Sequence, residues 1–100
     1  ADCATYEECR FCAESGCVDI LSTTLSGLVN PIEGPDTELV RRLKQDFTLP
    51  VNAEGRIWEL KDIDAVVEAG ADMITIGTAI TRPHLITERF LNHYRQQLAK

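Results

Sequence analysis

The sequence predicts an α/β fold built on a parallel sheet, and three observations carry that prediction. Apolar strand-like runs alternate with segments of helical period along the whole 100 residues. The stretches Glu14-Ser15-Gly16-Cys17-Val18-Asp19-Ile20 and Glu68-Ala69-Gly70-Ala71-Asp72-Met73-Ile74 repeat one grammar: helix end, glycine, short turn, buried strand. A helix separates each strand from the next, so the strands must run parallel.

Each element has its own signal. Ala1 to Cys3 reads as the tail of a strand, and Thr5 to Ser15 as a helix opened by a capping box of Thr5 with Glu8 and closed by Gly16. Val18 to Leu25 reads as the next strand. Ser26 to Pro35, with two glycines, two prolines and Asn30, reads as a loop. Asp36 to Phe47 follows as a helix with Leu39, Val40, Leu43 and Phe47 on one face. Pro50 to Ala53 is a strand. Glu59 to Ala69 is a helix with Ile63, Val66 and Val67 inward, ended by Gly70. Ala71 to Ile76 is an apolar strand, and His84 to Ala99 a final helix carrying Ile86, Phe90, Leu91, Tyr94 and Leu98.

Four strands and four helices with short, right-handed connections make half of an eight-unit TIM (β/α)8 barrel. The whole span 1–100 is then one domain, the C-terminal half of such a barrel. Four strands by themselves leave inner-face apolar side chains and two parallel edges open to water, so another half or a second copy is expected to close them. An open flavodoxin-like sheet, with helices on both faces, is the competing arrangement.

Composition bounds the function. At 44% hydrophobic and 26% charged the chain is that of a soluble globular protein. A formal charge of -6 argues against nucleic-acid partners, whose phosphates require clustered Lys and Arg. No apolar run approaches the roughly 18 residues that span a bilayer, and the first residues lack a basic stretch followed by an apolar one, so a cytoplasmic protein with no membrane partner is expected. Cys3, Cys9, Cys12 and Cys17 supply a single Cys-x-x-Cys inside a helical pattern with no matching ligand pair. They are expected to pack as small hydrophobes, with no metal bound. His84 and His93 are expected on the surface of the last helix, and Trp58 packed at the start of a helix.

The chemistry concentrates at two strand ends. Ile76-Gly77-Thr78-Ala79-Ile80-Thr81-Arg82-Pro83 sets a glycine turn, main-chain donors and an arginine where a helix should begin, an arrangement suited to holding phosphate. Ala53-Glu54-Gly55-Arg56 ends the preceding strand, bringing a carboxylate to the same mouth. Glycine at 55 and 77 lets an anion approach the main chain closely. Phosphate sites commonly lie after the seventh and eighth strands of a barrel, which favours the barrel over the open sheet. The pattern points to an enzyme acting on a phosphorylated small molecule.

Several motifs together resemble the bacterial N-acetylmannosamine-6-phosphate 2-epimerases: Ala1-Asp2-Cys3-Ala4-Thr5, Thr23-Thr24-Leu25-Ser26-Gly27, Pro35-Asp36, Val51-Asn52-Ala53-Glu54-Gly55-Arg56 and Gly77-Thr78-Ala79-Ile80-Thr81-Arg82-Pro83. The resemblance covers essentially the whole chain, in order, and maps it onto the fifth to eighth strands of that family's barrel with their helices. It implies cofactor-free interconversion of N-acetylmannosamine 6-phosphate and N-acetylglucosamine 6-phosphate in sialic acid breakdown, by removal and return of the proton on carbon 2. It implies Glu54 as a catalytic residue, Asp2 and Arg56 toward the sugar phosphate, and Gly55, Gly77, Thr78 and Arg82 around the phosphate. Plainer readings stand beside these: Glu54 as a strand-end carboxylate paired with Arg56, Asp2 as a terminal residue, Arg82 as a surface residue.

The family's catalytic lysine belongs to the other half of the barrel. Lys44, Lys61 and Lys100 all lie on or at the ends of predicted helices and do not replace it. The chain is therefore expected to hold half a site and to be inactive alone. The alternatives are a non-catalytic phosphate-binding half barrel that pairs with itself as a homodimer, and another phosphate-binding barrel enzyme.

Overall fold

Each strand is flanked in space by the strand nearest in sequence. The structure, a computed structural model, describes residues 1–28 and 31–100. Its elements are α1 (Tyr6–Ser15), β1 (Leu21–Ser22), α2 (Thr37–Asp46), β2 (Val51–Glu54), α3 (Leu60–Ala69), β3 (Met73–Thr75), α4 (Thr78–Thr81) and α5 (Pro83–Leu98). The sheet order is β1-β2-β3, all parallel. Asp2 forms a parallel bridge with Ser22, which places the first residues as a fourth strand position beside β1. The described strands follow one another in order with no switch point among them, as a barrel segment requires and as one half of a doubly wound sheet also would.

The local signals act as their chemistry requires. Thr5 caps α1 by accepting from the Glu8 amide, and Gly16 ends it at φ 71° in the left-handed region. Asp36 caps α2 through the Leu39 amide, 3.0 Å away. At α3, Glu59 and Asp62 form the reciprocal box, and Gly70 at φ 104° closes the helix.

Register sorts the two faces. Leu21 pairs with Val51 and Ala53 with Ile74, so these side chains share the face against α1, α2 and α3. There they join Cys3, Cys9, Leu39, Val40, Leu43, Val66 and Ala69 in one buried cluster. Asp2, Ser22, Asn52, Glu54, Met73 and Thr75 are in register on the opposite face. Among the described residues that face is polar except for Met73. The expectation of an apolar open face is thus corrected: much of the uncovered apolar surface lies on helices, at Phe11, Leu60, Val67, Phe90, Tyr94 and Leu98, with Leu28 exposed in the loop after β1.

Other expectations also change. The strand read over Val18 to Leu25 shrinks to Leu21–Ser22, because the chain turns at once through main-chain bonds from Ser26 N to Thr23 O and Leu28 N to Leu25 O. Of the loop read over Ser26 to Pro35, Asn30 and its neighbour Val29 lie outside the described residues. Val67 faces outward, at 57% exposure, since α3 buries only the Val66 and Ala69 side of its surface. Cys17 is exposed in the turn after α1, while Cys3 and Cys9 are buried and Cys12 half-buried. Burial pushes the Cys9 thiol up to about 12, so it stays protonated in the core. A short helix, α4, stands where a turn was read, and α5 follows with none of its residues buried. His84 and His93 are exposed on α5, and Trp58 is half-buried just before α3.

One ion pair ties a helix to the sheet. Asp72 Oδ2 accepts from Lys44 Nζ at 2.8 Å and from the Val51 amide at 2.8 Å, and these bonds, the lysine's first, hold its carboxyl below the usual carboxylate value. A carboxylate depressed in the folded state stabilises above its unfolded pKa of about 4, and that contribution is lost as pH falls through the folded value. Asp72→Asn is therefore expected to lower the melting temperature modestly at pH 7, with the offset starting to shrink near about pH 4 and vanishing only below the lowered folded value. Parallel melting curves with a constant offset at every pH would refute this coupling.

Candidate functional site

The C-terminal ends of the strands open on one cleft of about 260 Å³, lined by Thr24, Glu54, Gly55, Arg56, Ile57, Trp58, Thr75, Ile76, Gly77, Thr78 and Ala79. Five sequence-predicted residues, Glu54, Gly55, Arg56, Gly77 and Thr78, meet there. Asp2 does not line it but reaches it through Thr24, whose hydroxyl lies 3.0 Å from Asp2 Oδ1 and also contacts Glu54 Oε2. Arg82 stands exposed at the junction of α4 and α5, three residues beyond the last lining residue.

A hydrogen-bond relay crosses every strand of the open face. Thr75 Oγ1 donates to Asn52 Oδ1 at 3.0 Å, and Asn52 Nδ2 donates to Ser22 Oγ at 3.1 Å. Ser22 Oγ lies 2.5 Å from Thr24 Oγ1 and is the donor of that pair when the Thr24 proton is given to a carboxylate. Thr24 then has one proton to offer two carboxylates, Asp2 and Glu54. The arrangement sets both acids around one hydroxyl at the rim of the cleft. Glu54 is held from behind as well: buried Thr23 accepts from the Glu54 amide at 3.2 Å through Oγ1 and faces the Glu54 carbonyl at 3.3 Å. Neither threonine nor Ser22 nor Asn52 was assigned a role from sequence. Only Ser22 with Thr24 and Asn52 with Glu54 share the period-two spacing of one strand face, and it is strand pairing that joins them.

The two turns at the mouth differ in kind. Gly55 takes φ 106°, and an added Cβ would lie 3.7 Å from the Thr24 carbonyl, so conformation requires glycine there. Gly77 has φ -110°, open to any residue, and a Cβ would meet nothing within 4 Å. What glycine preserves at 77 is empty space over the cleft. Beyond it, the Gly77 carbonyl accepts from the Ile80 and Thr81 amides at 2.8 Å, leaving the amides of Thr78 and Ala79 in the first turn of α4 without an intrahelical acceptor. Arg56 is the one non-glycine residue with positive φ, at 58°, among the described residues. Its guanidinium does not pair with Glu54: Nε donates to the Gly34 carbonyl at 2.6 Å and Nη1 to the Ser26 carbonyl.

Comparison with known proteins gives the family of the chain. The family model described as "Putative N-acetylmannosamine-6-phosphate epimerase" matches residues 1–96. The chain belongs to the N-acetylmannosamine-6-phosphate epimerase family. Within the family, a protein of Caldanaerobacter subterraneus subsp. tengcongensis named "Putative N-acetylmannosamine-6-phosphate 2-epimerase" is 45% identical over 100 residues, covering 97% of this chain and 42% of that protein. Its Clostridioides difficile counterpart is 45% identical over 94 residues, covering 91% and 42%. The solved epimerase from Clostridium perfringens superposes with a TM-score of 0.82 at 38% identity, over 92% of this chain and 41% of that one. A geranylgeranylglyceryl phosphate synthase from Thermoplasma acidophilum, solved with sn-glycerol-1-phosphate, gives 0.59 at 26% identity over 77% of the chain and 30% of the synthase. The epimerase-family chain thus spans about two-fifths of the length of the curated relatives it matches. Among the described residues no helix is long and apolar enough to cross a membrane.

Proposed function

We propose that this chain is the C-terminal half of a cytoplasmic N-acetylmannosamine-6-phosphate 2-epimerase barrel, acting in sialic acid catabolism without a cofactor. The observation that carries the reading is the pair of acids sharing the Thr24 hydroxyl beside a cleft walled by Gly55, Gly77 and Thr78. The sugar phosphate enters with its phosphate against the amides of the Gly55-Arg56 turn and those of Thr78 and Ala79, which have no intrahelical acceptor. Arg82 swings from the helix junction to the ester oxygens. That places the sugar along the polar open face, with Asp2 toward its hydroxyls and Glu54 at the reacting end.

The proton on carbon 2, beside the carbonyl of the opened sugar, is weakly acidic, so its removal needs a positioned base and a donor near the developing oxyanion. Glu54 handles the ring-opening proton or tunes the base, and Thr24 holds its carboxylate in place. The resemblance assigns the remaining base, a lysine, to the N-terminal half, which therefore completes both the barrel and the chemistry. Exchange of the carbon 2 proton in heavy water tests this directly. Deuterium is expected only when the N-terminal half is added, and its absence from the reconstituted barrel would overturn the assignment.

Phosphate placement has its own check. Arg82→Ala is expected to weaken sugar-phosphate binding about tenfold to a hundredfold, the range for losing a charge-assisted hydrogen bond, with unchanged melting temperature because the residue is exposed. Equal affinity of the variant and the parent for sugar phosphate and inorganic phosphate would refute it. A second occupant of the open edges is favoured by one observation. The uncovered apolar face of α5, with Phe90, Leu91, Tyr94 and Leu98 exposed, suits a second copy. A homodimer doubles the mass in solution, which sedimentation reads.

A further inference from the structure

We infer that Arg56 is a positioning residue: its guanidinium staples the loop after β1 to the turn after β2 and thereby fixes the main chain that faces the anion. The inference rests on the phosphate reading given above. Three observations carry it. Arg56 adopts φ 58°, a left-handed conformation that residues with a side chain adopt at a cost, directly after Gly55 at φ 106°. Two arms of its fork are spent on the carbonyls of Gly34 and Ser26, on opposite sides of the loop. Gly27 is fitted to that staple, because an added Cβ would lie 2.9 Å from Arg56 Cζ and closer still to Nη1.

The rest of the surroundings agree. Ser26, whose carbonyl receives Nη1, donates its own hydroxyl to Asp36, the residue that caps α2. The staple therefore reaches from the Gly55-Arg56 turn through the loop to the start of a core helix. The third arm, Nη2, is enclosed and has no partner among the described residues. An atom sealed from solvent cannot meet an entering phosphate unless the loop gives way, so the side chain holds the turn and the main chain makes the contact. Lysine, with one ammonium on a flexible stem, cannot reproduce a planar fork that spans two carbonyls.

A set of three variants of the 100-residue chain separates this from direct ligation, with inorganic phosphate as the titrant followed by phosphorus NMR. Arg56→Lys and Arg56→Ala are both expected to lose affinity roughly tenfold, the effect of removing charged hydrogen bonds. Arg56→Gly is expected to bind about fivefold tighter than Arg56→Ala, because glycine keeps the left-handed turn accessible without the staple. Direct ligation predicts the reverse: lysine near the parent, and glycine as weak as alanine. Either of those results overturns the inference. Hydrogen exchange of the Ser26, Gly27 and Gly55 to Ile57 amides gives a readout independent of phosphate. It is expected to quicken in Arg56→Ala and Arg56→Lys while the core of α2 is unchanged, and unaltered exchange overturns the staple even if the parent binds no phosphate. Failure of the parent to bind phosphate, with exchange behaving as stated, refutes the phosphate reading instead.

Discussion

Glu54→Gln, introduced into the barrel completed by its N-terminal half, is expected to slow deuterium incorporation at carbon 2 by about 10²- to 10⁴-fold, the usual contribution of a positioned acid or base. Sugar-phosphate affinity is expected to hold. The amide oxygen still accepts from Thr24, the Thr23 bonds to the residue's main chain are untouched, and the phosphate contacts proposed above fall on other residues of the cleft, Gly55, Gly77 and Thr78. Single-turnover exchange with saturating substrate separates the two quantities. A variant that exchanges at the parent rate would show that the Thr24-linked pair is scaffolding, and the acid or base would have to be sought in the other half.

Leu43→Ala is expected to cost about 2–5 kcal/mol of folding stability, the range for emptying a packed aliphatic site. Leu43 is fully buried on α2 and sits in the single cluster that joins α1, α2, α3 and the helix-facing strand residues. Since a domain of ordinary stability has about 5–15 kcal/mol in all, the urea midpoint should fall sharply or the chain should fail to fold. Phe90→Ala is the control: at 69% exposure on α5, it is expected to leave the midpoint of the isolated chain within experimental scatter. A large effect of Phe90→Ala in dilute monomer, or a neutral Leu43→Ala, would mean that the core lies elsewhere.

Helix positions were the most legible part of the sequence, because their signals are local. Thr5, Gly16, Asp36 and Gly70 all cap where they stand, and the Leu39, Val40, Leu43 stripe is buried as its spacing requires. Strand lengths were less legible. Val18 to Leu25 is apolar enough for a long strand, yet the turn begun at Thr23, closed by main-chain bonds of its own and tied to Cys3 and Asn52, leaves two residues of strand. Site residues on the strand-end motifs converged on one cleft, whereas Arg82 stayed outside its lining. The relay through Thr75, Asn52, Ser22 and Thr24 escaped notice because small polar residues carry no distinctive pattern until strands pair them.

The chain's own residues determine the alternation of strand and helix, the caps, the direction of the strands and the two glycine turns, since each follows from interactions within a few residues. Only the tertiary arrangement decides which strand face meets the helices, that Asp2 and Glu54 share one hydroxyl, and that the Arg56 guanidinium turns to Ser26 and Gly34. These depend on parallel register between segments about 20 to 30 residues apart, where a slip of one residue would exchange the faces.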